Sequence, residues 1–444
     1  MQNCVSVKLM LTKVAGGPEI YSLSQNFFLF SFLPLNINVK LFSVLLTNFL
    51  EDIANGSWNN ILPLSRRESM NFRKLLKEEI INSGDNFYND NYDYYSHPRK
   101  IPLMKKIINL GKRILFRKLI FKLVFKSDKI YNNLFLGKLF GLLKYMDALE
   151  IVYQKLEDEQ SKSLLVKLIA FRALGYLKVK LPFNSESFWN DLKELESNRN
   201  EEDSINLNFK PWKLYYHDLT SYDTSIKLYF STIGCYSSIL RDHYKHQISK
   251  DIFIGAEKGD VVFDLGGCYG DTALYFSEKV GKTGRVYSFE FIPGSIEIFE
   301  RNMKLNPDLQ STIVIVNSPL WDKPDIDIYF QDCGGGSKVS FEKFSNWEGT
   351  KKTTTIDAFV SEQNIDKVDF IKSDIEGAEP FALEGAKDTL RRFRPKLAIS
   401  IYHSMDDFVN IINQIDELNL GYKFYLGHAS IYASETILFC SANQ

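Results

Sequence analysis

"VVFDLGGCYGDTALYF", residues 261–276, is an apolar run ending in an acid, then a glycine-rich turn, then the opening of a helix. In an open α/β sheet such a turn lies outside the carboxyl end of a strand, where ligands bind. Gly266, Gly267 and Gly270 let the backbone turn tightly and approach a ligand with no side chain between. A dinucleotide fingerprint would place glycines at 266, 268 and 271, but Cys268 and Asp271 stand at two of those positions. A helix N-terminus ordinarily attracts anions. Here the carboxylate of Asp271 fills that place from within the chain, and Asp264 adds a second acid.

Two acids at such a turn repel a pyrophosphate. They favour a nucleoside that carries an ammonium and a sulfonium and no phosphate, which is the description of S-adenosylmethionine. Thr272 completes the turn. The next apolar run, "RVYSFE", ends in Glu290, placed to accept two hydrogen bonds from a ribose diol. Asn317, at the end of "TIVIVNS", is the expected neighbour of the adenine.

Working outward, short runs rich in Val, Ile and Phe alternate with helical stretches beyond residue 250: "VVFDLGG", "RVYSFEF", "TIVIVNS", "VDFIKSD", "KLAISIYHS", "YKFYLGH" and "TILFC". Strands alternating with helices predict βαβ units and a mainly parallel sheet. The last two runs are joined by "ASIYASE", too short for a parallel crossover of about a dozen residues, so an antiparallel last strand is expected.

The segments "FDLGGCYGDTALYF", "VYSFEFIP", "FERNMKLNP", "VDFIKSDIEGAE" and "RPKLAISIYHSMDDF" together resemble the FkbM family of S-adenosylmethionine-dependent methyltransferases across roughly residues 250–440. A weaker similarity, through "LEDEQSKSLLVKLIAFRALGYLKVKLP", extends back to about residue 145. The resemblance implies a class I (Rossmann-like) methyltransferase fold: α/β, a mainly parallel seven-stranded sheet, the last strand antiparallel, preceded by a helical N-terminal region. It also implies methylation of hydroxyl groups, often on sugars or polyketide-like natural products.

The run "KVDFIKSD" ends in Asp374, with Glu376, Gly377 and Glu379 immediately after, beside the glycine turn in the expected fold. No Asn/Asp-Pro-Pro-aromatic motif stands there, which argues against DNA adenine or amide methylation. "KLAISIYHS" brings Tyr402 and His403 to the same edge, and "FYLGH" brings His428. A sugar hydroxyl is barely acidic, so a base must take its proton as the new bond forms. His403 is the first candidate, with Asp374 or Glu376 orienting it or binding sugar hydroxyls. Relatives carry a second histidine just after the His428 position, where this chain has Ile431 and Tyr432, which weakens a catalytic role for that loop. Asp374, Glu376, His403 and His428 also form a set of two carboxylates and two imidazoles suited to a divalent metal, which stays an option and not the leading expectation. "DCGGGSKVS", residues 332–340, reads equally as an acceptor-covering loop and as a hairpin tip, with Lys338 available to an anionic acceptor.

Composition bounds the rest. With 444 residues the chain exceeds one core of ordinary size, so two domains are the default. A net charge of -1 speaks against a dedicated nucleic-acid binder. The five cysteines are scattered without the spacing of a zinc or redox motif, which fits a reducing cytosol. Residues 26–50 are apolar but broken by Pro34, Asn36, Asn38 and Lys40, and read as buried structure or a leader, not as a spanning helix. Residues 99–144 hold thirteen Lys/Arg and one acid at amphipathic spacing. A helical bundle with a solvated basic face is expected there, and peripheral membrane contact is the other reading. The expected division is a leader at 1–97, a helical region at 98–210 and the cofactor-binding domain at 211–444, with loop-rich sequence from about 178 to 210.

The functional expectation is an O-methyltransferase of a sugar or glycan hydroxyl, cytoplasmic, with no nucleic-acid partner. A lipid-linked or secondary-metabolite acceptor is the second reading, and a non-catalytic binding module on the same scaffold is the third.

Overall fold

The computed structural model describes residues 71–84, 86 and 141–442, except 143, 177, 208–212 and 334–336. Most of the expected leader, nearly all of the basic stretch 99–144 and the three glycines of "DCGGGSKVS" lie outside the described residues. Among the described residues, no helix is long and apolar enough to cross a membrane.

Strands β1 (Ser204–Asn206), β2 (Lys213–Asp218) and β3 (Lys227–Phe230) form a small antiparallel sheet. The pairing of β1 with β2 spans residue 210, where a domain boundary was expected. β4 (His246–Gln247) and β5 (Phe253–Ile254) pair with each other. The main sheet is built from β6 (Val261–Leu265), β7 (Arg285–Phe289), β8 (Ile313–Val316), β12 (Phe370–Ser373), β13 (Lys396–Ser400), β14 (Lys423–His428) and β15 (Thr436–Ser441). Between β8 and β12 lies an antiparallel excursion, β9 (Asp327–Gln331), β10 (Lys338–Ser340) and β11 (Gly349–Lys352). β10 pairs antiparallel with β9, and Lys338 Nζ lies 4.0 Å from the centroid of the Phe344 ring.

The strand order is β14-β15-β13-β12-β6-β7-β8, and all seven expected strands are present. β8, β7, β6, β12 and β13 are parallel, and β15 runs antiparallel to both of its neighbours. This is the mainly parallel seven-stranded sheet of the class I methyltransferase fold. The chain leaves β6 toward β7 on one side and returns through β12 on the other. That reversal opens a crevice at the carboxyl ends of β6 and β12.

Both faces of the sheet are covered, which is why its strands read as nearly continuous apolar runs. Phe263, Leu265, Ile371, Leu397 and Ile399 face one core with the helices Glu159–Leu174 and Met405–Asp416. Val262, Val286, Phe370 and Ala398 face the other, with the helix Asp271–Val280. The helix Asp271–Val280 is buried almost all round because a second layer covers it. That layer is the helix Glu186–Ser197 and the π-helix Cys235–Leu240.

Two expectations are corrected. The stretch read as loop-rich contains the helix Glu186–Ser197. Ser185 caps it by accepting from the Phe188 amide, and Phe188, Leu192 and Leu195 form one apolar stripe. The stretch read as a leader contains the helix Asn71–Gly84, whose Phe72 and Leu76 enter the core and whose Phe72 ring lies 5.6 Å from that of Tyr153. The helical N-terminal region thus shares a core with the sheet. Its attachment continues at the sheet edge, where Glu157 donates to the Phe424 carbonyl and Leu426 to Ser161 Oγ.

Candidate active site

Inside a sheet apolar on both faces, three polar side chains stand in one row. Parallel register sets Ser288 of β7, Asp264 of β6 and Lys372 of β12 opposite one another on the same face. Asp264 is fully buried, accepting from Ser288 Oγ at 2.7 Å and from Thr272 Oγ1 at 2.9 Å on each oxygen. Lys372 Nζ lies 3.0 Å from Asp264 Oδ1 and donates to the carbonyls of Leu265 and Gly266. Burial works against the ammonium, but Asp264 and Asp374 more than offset it and hold Lys372 above its ordinary pKa. The polar atoms of Asp264 and Thr272, both expected to bind cofactor, are therefore engaged in shaping the turn.

The glycines are dictated by how closely the strand ends approach. A Cβ on Gly266, where φ is +87°, would sit 2.0 Å from the Asp374 carbonyl oxygen. On Gly267 it would meet Ser288 Oγ at 2.1 Å, and on Gly270, with φ +82°, the Phe299 ring at 2.2 Å. The turn thus brings the end of β6 against the end of β12.

Asp271 begins the helix Asp271–Val280 and is 5% exposed. Burial pushes its carboxyl up to about 7, against the pull of Lys372. Glu290 follows β7 directly; its Oε2 accepts from the Cys268 amide, and its Oε1 from Phe291 and Ile292. Burial raises it to about 7 in spite of those three donors. The carboxylate is therefore fixed against the glycine turn; Oε1 already accepts two bonds, and Oε2 keeps the remaining acceptor site for a ribose hydroxyl. Asn317 is exposed immediately after β8, on the same edge of the sheet.

At the end of β12, Asp374 accepts from Tyr402 Oη at 3.2 Å and lies 3.1 Å from His403 Nε2. Glu376 (φ +58°) and Gly377 (φ +96°) are both left-handed, and they reverse the chain. The reversal swings Glu379 back, fully buried, so that its Oε1 accepts from the Ile375 amide at 2.7 Å and lies 3.2 Å from the same His403 Nε2. Glu376 stays outside, 3.8 Å from His403 Nδ1. The structure accordingly gathers Asp374, Glu379 and His403, whose ligand-capable atoms lie within 4.8 Å of one another. The expected fourfold set is corrected at two places: Glu379 stands where Glu376 was expected, and His428 lies outside the group. His428 Nδ1 pairs with Thr436 Oγ1 at 3.0 Å, and burial lowers its pKa to about 3.

The role expected of His403 also changes. Burial disfavours its cation, but hydrogen bonds to Asp374 and Glu379 prevail and push it up to about 11. An imidazole protonated at neutral pH is no general base. Asp374, for its part, is held below the ordinary carboxylate range: burial opposes ionisation, while His403 and Lys372 favour it more strongly.

Residues far upstream also reach this edge. The segment after the π-helix carries His243 and Tyr244, whose rings stack at 4.7 Å, and Lys372 Nζ lies 5.4 Å from the Tyr244 ring centroid. His243 Nδ1 is 3.7 Å from Glu435 Oε2, and burial lowers the pKa of His243 to about 4. A π-helix beside a ligand crevice is a recurrent functional feature, but nothing in residues 232–246 as text marks it. Lys372 did leave a signal, as a lysine in the middle of the apolar run "VDFIKSD".

Residues 254–424 match the family model of the methyltransferase FkbM domain. The chloroplast 2-phytyl-1,4-beta-naphthoquinone methyltransferase of Arabidopsis thaliana is 34% identical over 93 residues, which are 20% of this chain and 34% of that protein. This chain is thus aligned with about a third of the length of that curated relative. The crystal structure of methyltransferase FkbM from Methylobacillus flagellatus KT is 18% identical with a TM-score of 0.43, covering 68% of this chain and 60% of that one. Aeropyrum pernix fibrillarin, in complex with natively bound S-adenosyl-L-methionine, is 14% identical with a TM-score of 0.27, covering 41% of this chain and 67% of that one.

Proposed function

Because residues 254–424 match the family model of the methyltransferase FkbM domain, we propose that the chain is an S-adenosylmethionine-dependent O-methyltransferase acting on a hydroxyl of a sugar or glycan. The observation that carries this reading is the ring of acids at a glycine turn: Asp271 and Glu290 on one side, Asp374 on the other. A nucleotide phosphate would meet like charge there, whereas an ammonium and a sulfonium meet carboxylates.

The residues fit that cofactor. Asp271 would hold the ammonium, Glu290 the ribose diol and Asn317 the adenine edge. S-adenosylmethionine supplies an electrophilic methyl group on its sulfonium. The acceptor hydroxyl then has to lie beside Asp374, the residue against which Gly266 packs. As that oxygen takes the methyl group its proton becomes strongly acidic, so an ionised carboxylate of low pKa suffices to accept it. His403 and Tyr402 hold Asp374 in the ionised state and in place. The methyl group ends on the acceptor oxygen, the proton on Asp374, and the electron pair of the broken bond on sulfur.

The test supplies the cofactor with a panel of glycans, lipid-linked sugars, secondary-metabolite alcohols and amines, and reads S-adenosylhomocysteine by mass spectrometry. Turnover with a sugar hydroxyl is expected, with kcat roughly 10²–10⁴-fold lower in Asp374→Asn and cofactor affinity retained. Turnover confined to amines, or wild-type kcat in Asp374→Asn, would overturn the assignment.

A further inference from the structure

We infer that Asp374, Glu379 and His403 form a binding site for a divalent first-row metal ion. The site deepens the methyl-transfer reading and rests on it only for what the ion would do, not for the binding itself.

Donor–acceptor arithmetic carries the inference. His403 Nε2 offers a single hydrogen, yet two carboxylate oxygens approach it, Asp374 Oδ1 at 3.1 Å and Glu379 Oε1 at 3.2 Å. Two carboxylates thus share one imidazole nitrogen, and the carboxylate of Glu376 lies 3.8 Å from the ring's Nδ1. The side chain of Glu379 is fully buried, and among the described residues its Oε2 has no hydrogen-bond partner. A buried carboxylate oxygen with no donor is costly unless a cation meets it.

The geometry suits such a cation. Metal–ligand bonds of about 2.1 Å at right angles set neighbouring donor atoms about 3.0 Å apart, close to both distances around Nε2. A proton shared among three donor atoms is the natural tenant when no ion is bound, and the imidazole gives it up on metal binding. One nitrogen and two oxygens on a single face suit Mn²⁺ or Zn²⁺ better than the harder Ca²⁺, and leave positions open.

The chain supplies those positions at the acceptor end of the crevice, beside the Asp374 carbonyl that touches Gly266. An ion there would take hydroxyl oxygens, vicinal ones best, and lower the pKa of a bound hydroxyl. Asp374 Oδ1 then serves as the ligand, and the other carboxylate oxygen of the same residue is left to take the proton. The acceptor class that fits is a polyol, such as a sugar with adjacent hydroxyls.

The experiment titrates Mn²⁺ into the full chain, followed by electron paramagnetic resonance, and titrates S-adenosylmethionine into the same samples by calorimetry. One equivalent of Mn²⁺ should bind with histidine nitrogen coupling. Glu379→Gln, which keeps an oxygen for the Ile375 amide, and His403→Gln should each weaken it at least tenfold while cofactor affinity holds. No Mn²⁺ binding to wild type, or binding untouched by both variants, would overturn the site. Cofactor binding without Mn²⁺ sinks only the ion; Mn²⁺ binding without the cofactor sinks only the methyltransferase reading.

Discussion

Lys372→Met removes one ammonium and keeps most of the side-chain volume, so its cost isolates the charge. In the native chain that ammonium is 2% exposed, lies 3.0 Å from an Asp264 that is 0% exposed, and hydrogen-bonds the carbonyls of Leu265 and Gly266. Breaking a buried pair by deleting one partner costs about 3–5 kcal/mol, because the other charge is left without compensation. Thr272 and Ser288 still donate to Asp264, which puts the expected loss at the lower end, about 3 kcal/mol. Against a total stability of about 5–15 kcal/mol, that is a large shift in the urea midpoint, read by circular dichroism. Lys372→Met with Asp264→Asn removes both charges and should recover at least about half of the loss, giving strong coupling in a double-mutant cycle. A single-mutant cost under about 1 kcal/mol, or strictly additive effects, would refute the claim that this pair builds the turn.

Three further outcomes follow from the same geometry. Asp271 and Glu290 both stand at about 7 because burial favours their neutral forms. The ammonium needs Asp271 ionised, so cofactor affinity should fall toward tenfold per pH unit below 7, and calorimetry from pH 5.5 to 8.5 reads the slope. The same shift bears on ligand-free stability with a definite sign. A carboxyl raised in the folded state contributes stability that is complete below the unfolded value near 4 and lost as pH rises through about 7. Asp271→Asn should flatten that decline in melting temperature, and an unchanged profile would contradict the burial argument. Gly266→Ala drives a Cβ to 2.0 Å from the Asp374 carbonyl at a φ of +87°. It should cost about 2 kcal/mol or more in urea unfolding and at least tenfold in cofactor affinity; wild-type values for both would show that the strand ends do not meet there.

How far the sequence disclosed this architecture depends on the kind of signal. The seven strands were legible because a sheet buried on both faces leaves runs of Val, Ile and Phe, and the short link before Thr436–Ser441 dictated the antiparallel strand. The helix Glu186–Ser197 was not, since only Phe188, Leu192 and Leu195 of its twelve residues are buried, with Trp189 packed partly buried beside them, and the rest read as polar loop. Among the acids, Asp271 and Glu290 were placed at the glycine turn by motif spacing, and the structure sets both there. Glu379 was given no role because its partnership with His403 depends on two successive left-handed residues, Glu376 and Gly377, and backbone sign is not written in residue type for a glutamate. Lys372 needed the strand register before its alignment with Asp264 could be seen, and Tyr244 and His243 needed the path of a segment lying before the first sheet strand.

An acid-lined glycine turn that selects a cationic nucleoside without phosphate should discriminate among S-adenosylmethionine, NAD and ATP in separate calorimetric titrations of the folded chain, cleared of co-purified ligand. Micromolar binding of S-adenosylmethionine alone is the predicted result. Absence of that binding, or comparable binding of NAD or ATP, would contradict it.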